Sequence, residues 1–305
     1  FTVVFYHFLP EYELGKISYG WMGVDVFFVI SGYLITAILL EQKNSIQNKL
    51  LIIRNFILKR ALRLFPIYYL FVSFFLISMY LFHLYAWDTG NAIYFYSYTQ
   101  NILFFKEGMK GVQTNHLWTL AVEEQFYLFW PWLVIYIHNK NLIRSLFIVI
   151  LFTLLLKSFS NVENLRMLTM AHFDTLGGGA LIALLMKEKG EGFLLFMNKL
   201  KFIGILLSLL VLGVATFYKI HPFFTCMSVF TLSMNMVMGS YYNFKGIPGR
   251  ILNLPWLQYL GKISYGLYLY HKPIPYFLKI IVGKLHVQAN PWMLLVLSIF
   301  LTVLV

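Results

Sequence analysis

Two kinds of residue are scarce in this chain. Cysteine occurs once, at Cys226, so no internal disulfide can form and a disulfide-stapled scaffold is excluded. Charge is the second scarcity: Asp, Glu, Lys and Arg make up 12 % of 305 residues, where soluble domains carry about a quarter. A water-facing surface needs more charge than that, so most of this surface faces something else. Short repeats and low-complexity tracts are missing as well, which sets aside the collagen-like, coiled-coil and disordered classes.

What fills the space is apolar, with 60 % hydrophobic and 19 % aromatic residues arranged in long runs. At about 20 residues per bilayer crossing, spans are expected near the chain start to residue 9, then at 20–40, 64–83, 116–137, 142–158, 172–186, 202–218, 223–240, 256–282 and 291–305. The runs do not alternate as barrel strands would. The expected fold is therefore all-α, a polytopic transmembrane helical bundle of about ten spans. Three stretches, 142–158, 172–186 and 202–218, are short for a full crossing, which leaves room for a re-entrant segment. Phe1 lies inside an apolar run with no initiator Met, and the chain closes inside another, so 1–305 reads as a single transmembrane domain trimmed at both ends.

The formal net charge of +12 is explained by where the cations sit. One set of alternate loops holds fourteen: Lys43, Lys49, Arg54, Lys59, Arg60, Arg63, Lys140, Arg144, Lys187, Lys189, Lys199, Lys201, Lys245 and Arg250. The other holds seven: Lys16, Lys106, Lys110, Lys157, Arg166, Lys219 and Lys284. By the positive-inside rule the richer set is cytoplasmic and both ends point inward. The basic excess reports topology and anionic lipid rather than nucleic acid.

Ionisable groups inside spans are costly and mark cavities. At about 1.5 Å per residue, His7 sits about 3 Å inside the outer end of the first span and Asp25 roughly 7 Å inside that of the second. Glu123 and Glu124 lie about 10–12 Å below the outer end of the fourth span. Asp174 and His172 sit at the outer end of the sixth, and His271 with Lys272 well up the ninth. All fall in the outer half, as a shared polar chamber requires, although each alone could be interfacial, Lys272 could snorkel, and Asp25 with Lys272 could be a structural ion pair. At the cytosolic side, Lys59, Arg60 and Arg63 open the third span, and Arg60 and Arg63 share a helix face. Such a pair can fork around phosphate or anchor the helix in anionic lipid.

Four ordered segments carry a family resemblance. Gly23-Val24-Asp25-Val26-Phe27-Phe28-Val29-Ile30-Ser31-Gly32-Tyr33-Leu34-Ile35-Thr36 resembles the signature of the acyltransferase family 3 membrane proteins, which O-acylate extracytoplasmic glycans. His7 stands where that family places its first-helix histidine, and Lys59-Arg60-Ala61-Leu62-Arg63-Leu64-Phe65-Pro66 is similar to its basic segment. Leu117-Trp118-Thr119-Leu120-Ala121-Val122-Glu123-Glu124-Gln125-Phe126-Tyr127 resembles its Trp-Ser-Leu-x-Val-Glu-Glu-Gln-Phe-Tyr motif. Ser264-Tyr265-Gly266-Leu267-Tyr268-Leu269-Tyr270-His271 is similar to its C-terminal Ser-Tyr-x-x-Tyr-Leu-x-His segment. Phe173-Asp174-Thr175-Leu176-Gly177-Gly178-Gly179-Ala180 resembles a further family element, and its glycines also permit close helix packing.

The resemblance implies a multi-pass protein of the plasma (bacterial inner) membrane. It implies transfer of an acyl group, usually acetyl, from cytosolic acetyl-CoA or another acyl-CoA to a hydroxyl of an extracytoplasmic or lipid-linked glycan. Lys59, Arg60 and Arg63 would hold the donor phosphates. An alcohol needs a general base, and His7 suits that role, with Asp25, Glu123 or Glu124 to orient it. Trp118, Tyr127, His271 and Lys272 would face substrate, although the two aromatics could equally be interfacial belt and core. The expected partners are acyl-CoA, a glycan acceptor and lipid, with no nucleic acid and no metal. A proton-coupled transporter or flippase of a glycan precursor, or a structural partner in a glycan-synthesis complex, are the alternatives the same residues allow.

Overall fold

The computed structural model describes residues 22–46, 48–81, 91–109, 113–160, 162–218 and 253–284, with the single positions 250 and 297. His7 and the expected spans up to residue 9, at 223–240 and at 291–305 lie outside them. Among the described residues all regular structure is helical. The elements are α1 (Met22–Lys43), α2 (Lys49–Leu81), two short helices α3 (Ala92–Tyr96) and α4 (Gln100–Glu107), α5 (Trp118–Tyr136), α6 (Asn139–Phe159), α7 (Leu176–Tyr218), α8 (Pro255–Tyr270) and α9 (Pro273–Lys284). α1, α2 and α6 are long and apolar enough to cross a membrane. Leu70, Phe74 and Ile77 on α2, and Ile148, Leu151 and Phe152 on α6, point outward as an apolar surface suited to lipid tails.

Three boundaries differ from the hydropathy reading. The stretch 41–63 was expected as a cytoplasmic connection, but α2 begins at Lys49 and continues through Pro66. Residues 187–201 were expected as a loop between spans, yet α7 runs through them and departs from helical geometry at Gly190, where φ is 57°. Lys187-Glu188-Lys189 are good helix formers, so low hydropathy there does not mean low helicity. The run 256–282 is divided at His271-Lys272, because Pro273 lacks the N–H that would extend α8.

α1 lies at the centre. It packs most extensively along α7 and also against α5, while α6 covers the other side of α7. Phe28, Ile35 and Leu39 of α1 are buried with Val122, Phe126 and Trp130 of α5, Leu146 of α6, and Leu176 and Ala180 of α7. A second core joins Tyr68, Phe71 and Val72 of α2 to Phe95, Leu103 and Leu269. Two polar side chains tie α1 internally and to α5: Thr36 donates to the Gly32 carbonyl at 2.7 Å, and Trp130 donates its Nε1–H to Thr36 at 2.8 Å. The bundle thus holds α1 and α5 in fixed register, and both carry motif residues inward.

Candidate active site

The site is built in tiers along α1. At the Asp25 end, in the first turn of the helix, the carboxylate faces His172 with Oδ1 3.9 Å from Nδ1. His172 belongs to a short 3₁₀ turn before α7, and its Nε2–H donates to the Arg166 carbonyl at 2.7 Å. That bond fixes the ring and aims Nδ1 at Asp25. Trp118 lies over the same imidazole with ring centroids 5.2 Å apart, and Phe28 meets it edge-on at 4.8 Å. Beside them Lys157 of α6 makes a buried ion pair with Asp174 at 2.8 Å, and Asp174 also accepts the Thr175 N–H. Asp25 lies within electrostatic reach of both members of that pair. A carboxylate, an imidazole and an indole thus lie together at this end of α1.

About six residues further along α1, some 9 Å deeper, Ser31 Oγ and Tyr127 Oη share a 2.6 Å hydrogen bond. Glu123, one turn before Tyr127 on α5, is buried against both hydroxyls. Its Oε1 has no hydrogen-bond partner among the described residues. Arg60 of α2 reaches this tier: its guanidinium lies 5.7 Å from the Tyr127 ring and within electrostatic reach of Glu123 and Glu124. Depth counting along single spans places Glu123 and Glu124 in the outer half, apart from the arginines. The helix packing instead brings Arg60 within electrostatic reach of both carboxyl groups.

Arg60 also opens the third tier. A cavity of about 510 Å³ lies between α1 and α2, lined by Lys59, Arg60 and Arg63 together with Phe56, Ile38 and Glu41. The Phe56 ring sits 5.7 Å from the Arg60 guanidinium. Three cations with an aromatic wall fit a phosphorylated ligand carrying a planar base, while Glu41 reduces the net charge and limits the site to part of the lining.

His271 and Lys272 take a different position. Pro273 cannot donate to the Leu269 carbonyl four residues back, and His116 Nε2–H supplies that bond from across the bundle at 3.2 Å. His271 Nδ1–H donates to the Tyr268 carbonyl at 2.7 Å, and Lys272 donates to Asn115 Oδ1 at 2.6 Å. The two imidazoles lie 4.7 Å apart, centroid to centroid, and Tyr268 closes the group by donating to the His116 carbonyl. Both histidines therefore satisfy carbonyls at the end of α8. Gln125 is structural in the same sense: it donates to the Tyr98 carbonyl and to Asn101, and accepts from Thr169.

The sequence did not single out Ser31, His116 or Lys157, and it noted His172 only as lying at a span's lip. Ser31 was legible in principle, being a hydroxyl inside an apolar helical run. His116 carried no signal, since it acts on a helix elsewhere in the chain.

Helices suited to a bilayer, with a buried carboxylate against two hydroxyls and a cationic cleft nearby, are the features of a helical membrane protein with polar groups inside its bundle. The chain belongs to acyltransferase family 3, whose acyltransferase domain matches residues 1–305. It is 28 % identical to the O-acetyltransferase OatA of Staphylococcus aureus over 99 % of this chain and 52 % of that protein. It is also 28 % identical to the peptidoglycan O-acetyltransferase OatA of Listeria monocytogenes over 90 % of this chain and 47 % of that protein. The putative peptidoglycan O-acetyltransferase YrhL of Bacillus subtilis is 27 % identical over 90 % of the chain and 46 % of its own length. The chain thus spans about half the length of these relatives. No solved structure matches it.

Proposed function

We propose that this protein is an integral membrane O-acetyltransferase. It takes an acyl group, acetyl by the relatives' names, from acyl-CoA on the cytosolic side and delivers it to a hydroxyl of an extracytoplasmic glycan, of which peptidoglycan is the first candidate. The observation that carries the reading is Arg60, which lines the cationic cavity and also faces the Tyr127 and Glu123 cluster. A donor held by Lys59, Arg60 and Arg63 through its phosphates would present its thioester toward that cluster. The distribution of cations between alternate loops supports a ten-span topology with both ends inside, the cationic cavity on the cytosolic side and Asp25 toward the outside.

In this reading His7 is the base that takes the acceptor proton, and of Asp25, Glu123 and Glu124 the nearest to it by depth is Asp25. Trp118, tilted over His172, would offer its indole face to a sugar ring. His271 and Lys272 shape the neighbouring wall through their hold on the end of α8. Purified protein in detergent is offered labelled acetyl-CoA with and without a peptidoglycan fragment. Acceptor-dependent release of free CoA with label on the glycan supports the proposal. Glycan precursor crossing a proteoliposome membrane with no acyl donor present, and no CoA release, establishes a transporter instead.

A further inference from the structure

We propose that Ser31 is the acyl carrier of this protein: its hydroxyl takes the acyl group from the donor and hands it to the acceptor. The inference rests on the acyl-transfer reading above and adds a covalent intermediate to it. A serine inside a helix ordinarily returns its hydroxyl to the carbonyl one turn back. Thr36 does so, to Gly32. Ser31 instead reaches across to another helix and shares its 2.6 Å hydrogen bond with Tyr127 Oη. Glu123 lies against both hydroxyls, buried, with Oε1 lacking a hydrogen-bond partner among the described residues. A hydroxyl, a phenol and a carboxylate held together are the groups an alcohol nucleophile needs to pass on its proton.

Two separate features align Ser31 with the cationic cavity. Ile38, which lines the cationic cavity, lies seven residues after Ser31. Seven residues are close to two turns, so both stand on one face of α1 about 10 Å apart. On the opposite wall Arg60 lines the cavity and also faces the Tyr127 ring. A donor whose phosphates occupy the cavity extends its acyl arm along that face to Ser31. The same Arg60 charge stabilises negative charge developing on Tyr127 or Glu123.

The chemistry balances without any further reactant. Ser31 Oγ bonds to the acyl carbon while its proton passes through Tyr127 Oη to the Glu123 carboxylate. The carbon–sulfur bond breaks, and the departing sulfur takes the proton from Glu123, releasing CoA thiol. In the second half the acceptor oxygen bonds to the same carbon, the bond to Ser31 Oγ breaks, and the acceptor's proton ends on Ser31. One acyl group moves inward to outward, and the chain returns to its starting state.

The test is a single turnover of the full chain in detergent with labelled acetyl-CoA and no acceptor, quenched in acid, digested and read by mass spectrometry. One acetyl group is expected on the peptide containing Ser31, chased off by a later addition of peptidoglycan fragment. Glu123→Gln and Tyr127→Phe should slow its appearance by about 10²–10⁴-fold. Ser31→Ala should lose it while still binding acetyl-CoA. Ser31→Cys guards against a folding defect: its adduct becomes a thioester, cleaved by neutral hydroxylamine, which leaves the wild-type oxygen ester intact. An adduct at another residue overturns the assignment. Acceptor-dependent CoA release with no adduct at any time also overturns it, while leaving the acyltransferase reading standing. No CoA release under any condition takes down both.

Discussion

The carbonyl oxygen of Leu176 stands 2.0 Å from where a Cβ on Gly32 would be, so α1 and α7 meet backbone against backbone. Gly179 repeats the arrangement from the other helix, with the Val29 carbonyl 1.9 Å from its would-be Cβ. Any side chain at either position must push the helices apart. That contact sets the position of Asp25 and Ser31, which flank Val29 on α1.

Gly32→Ala and Gly179→Ala are therefore expected to destabilise the bundle by about 1–3 kcal/mol or more, since the obstacle is main chain and cannot rotate away. Gly266→Ala on α8 is the control, because nothing among the described residues lies within 4 Å of its added methyl. Thermal unfolding in detergent checks both. The expected order is Gly266→Ala at or slightly above wild type, with the two others well below.

The glycine contact was legible from the Gly177-Gly178-Gly179 run, because close helix packing needs small residues whatever the partner. The helical class was legible for a similar reason, since composition alone fixes the solvent. The electrostatic proximity of Arg60 to Glu123 was not. Counting from the edge of an apolar run put Arg60 at a span's mouth, whereas its helix already begins at Lys49 and carries Arg60 eleven residues in. The division of 256–282 at His271 was signalled by Pro273, yet a hydropathy window averages across a single proline. The helix through Lys187-Glu188-Lys189 was hidden because charge reads as a loop in a membrane protein, although those residues favour helix.

Lys157 and Asp174 form a buried pair, with side-chain exposures of 9 % and 1 %. Removing one partner leaves the other charge in an apolar interior, at about 3–5 kcal/mol. Lys157→Met or Asp174→Leu alone is expected to lower the unfolding temperature markedly, and the double variant to recover most of the loss. If each single variant and the double are equally stable, the pair contributes nothing and Asp25 has no structured cationic neighbour.

Arg63 is expected to bind donor rather than only anchor α2. It lines the cavity with Arg60, and losing a charge-assisted contact to phosphate costs about 1.5–3 kcal/mol. Arg63→Ala should weaken acetyl-CoA binding roughly ten- to hundredfold, as read by calorimetry. Unchanged affinity in the Arg60→Ala, Arg63→Ala protein would return both residues to the lipid surface.

Topology is testable in intact cells, in a background lacking Cys226. A cysteine at Ser45, between α1 and α2, is expected to be shielded from a membrane-impermeant thiol reagent. One at Ser97, which follows α3 and has its side chain exposed, is expected to react. The reverse pattern inverts the protein and puts the cationic cavity outside, away from cytosolic acyl-CoA.

Three of the chain's histidines are expected to separate into two roles. His116 and His271 each donate a ring N–H to a carbonyl at the end of α8, where Pro273 withdraws the ordinary donor. A buried carbonyl left unpaired costs about 1–3 kcal/mol, so His116→Ala should lose stability. His116→Gln keeps an N–H of similar reach and should regain most of it. His7 is proposed as the base for the acceptor hydroxyl, a role worth about 10²–10⁴-fold in rate. His7→Ala should therefore lose at least that much turnover while folding and binding acetyl-CoA as wild type does. Rates and melting temperatures are measured on the same preparations. A His7→Ala protein that keeps its turnover, beside a stable but inactive His271→Ala, would move the base to His271 and leave the end of α8 as part of the acceptor site.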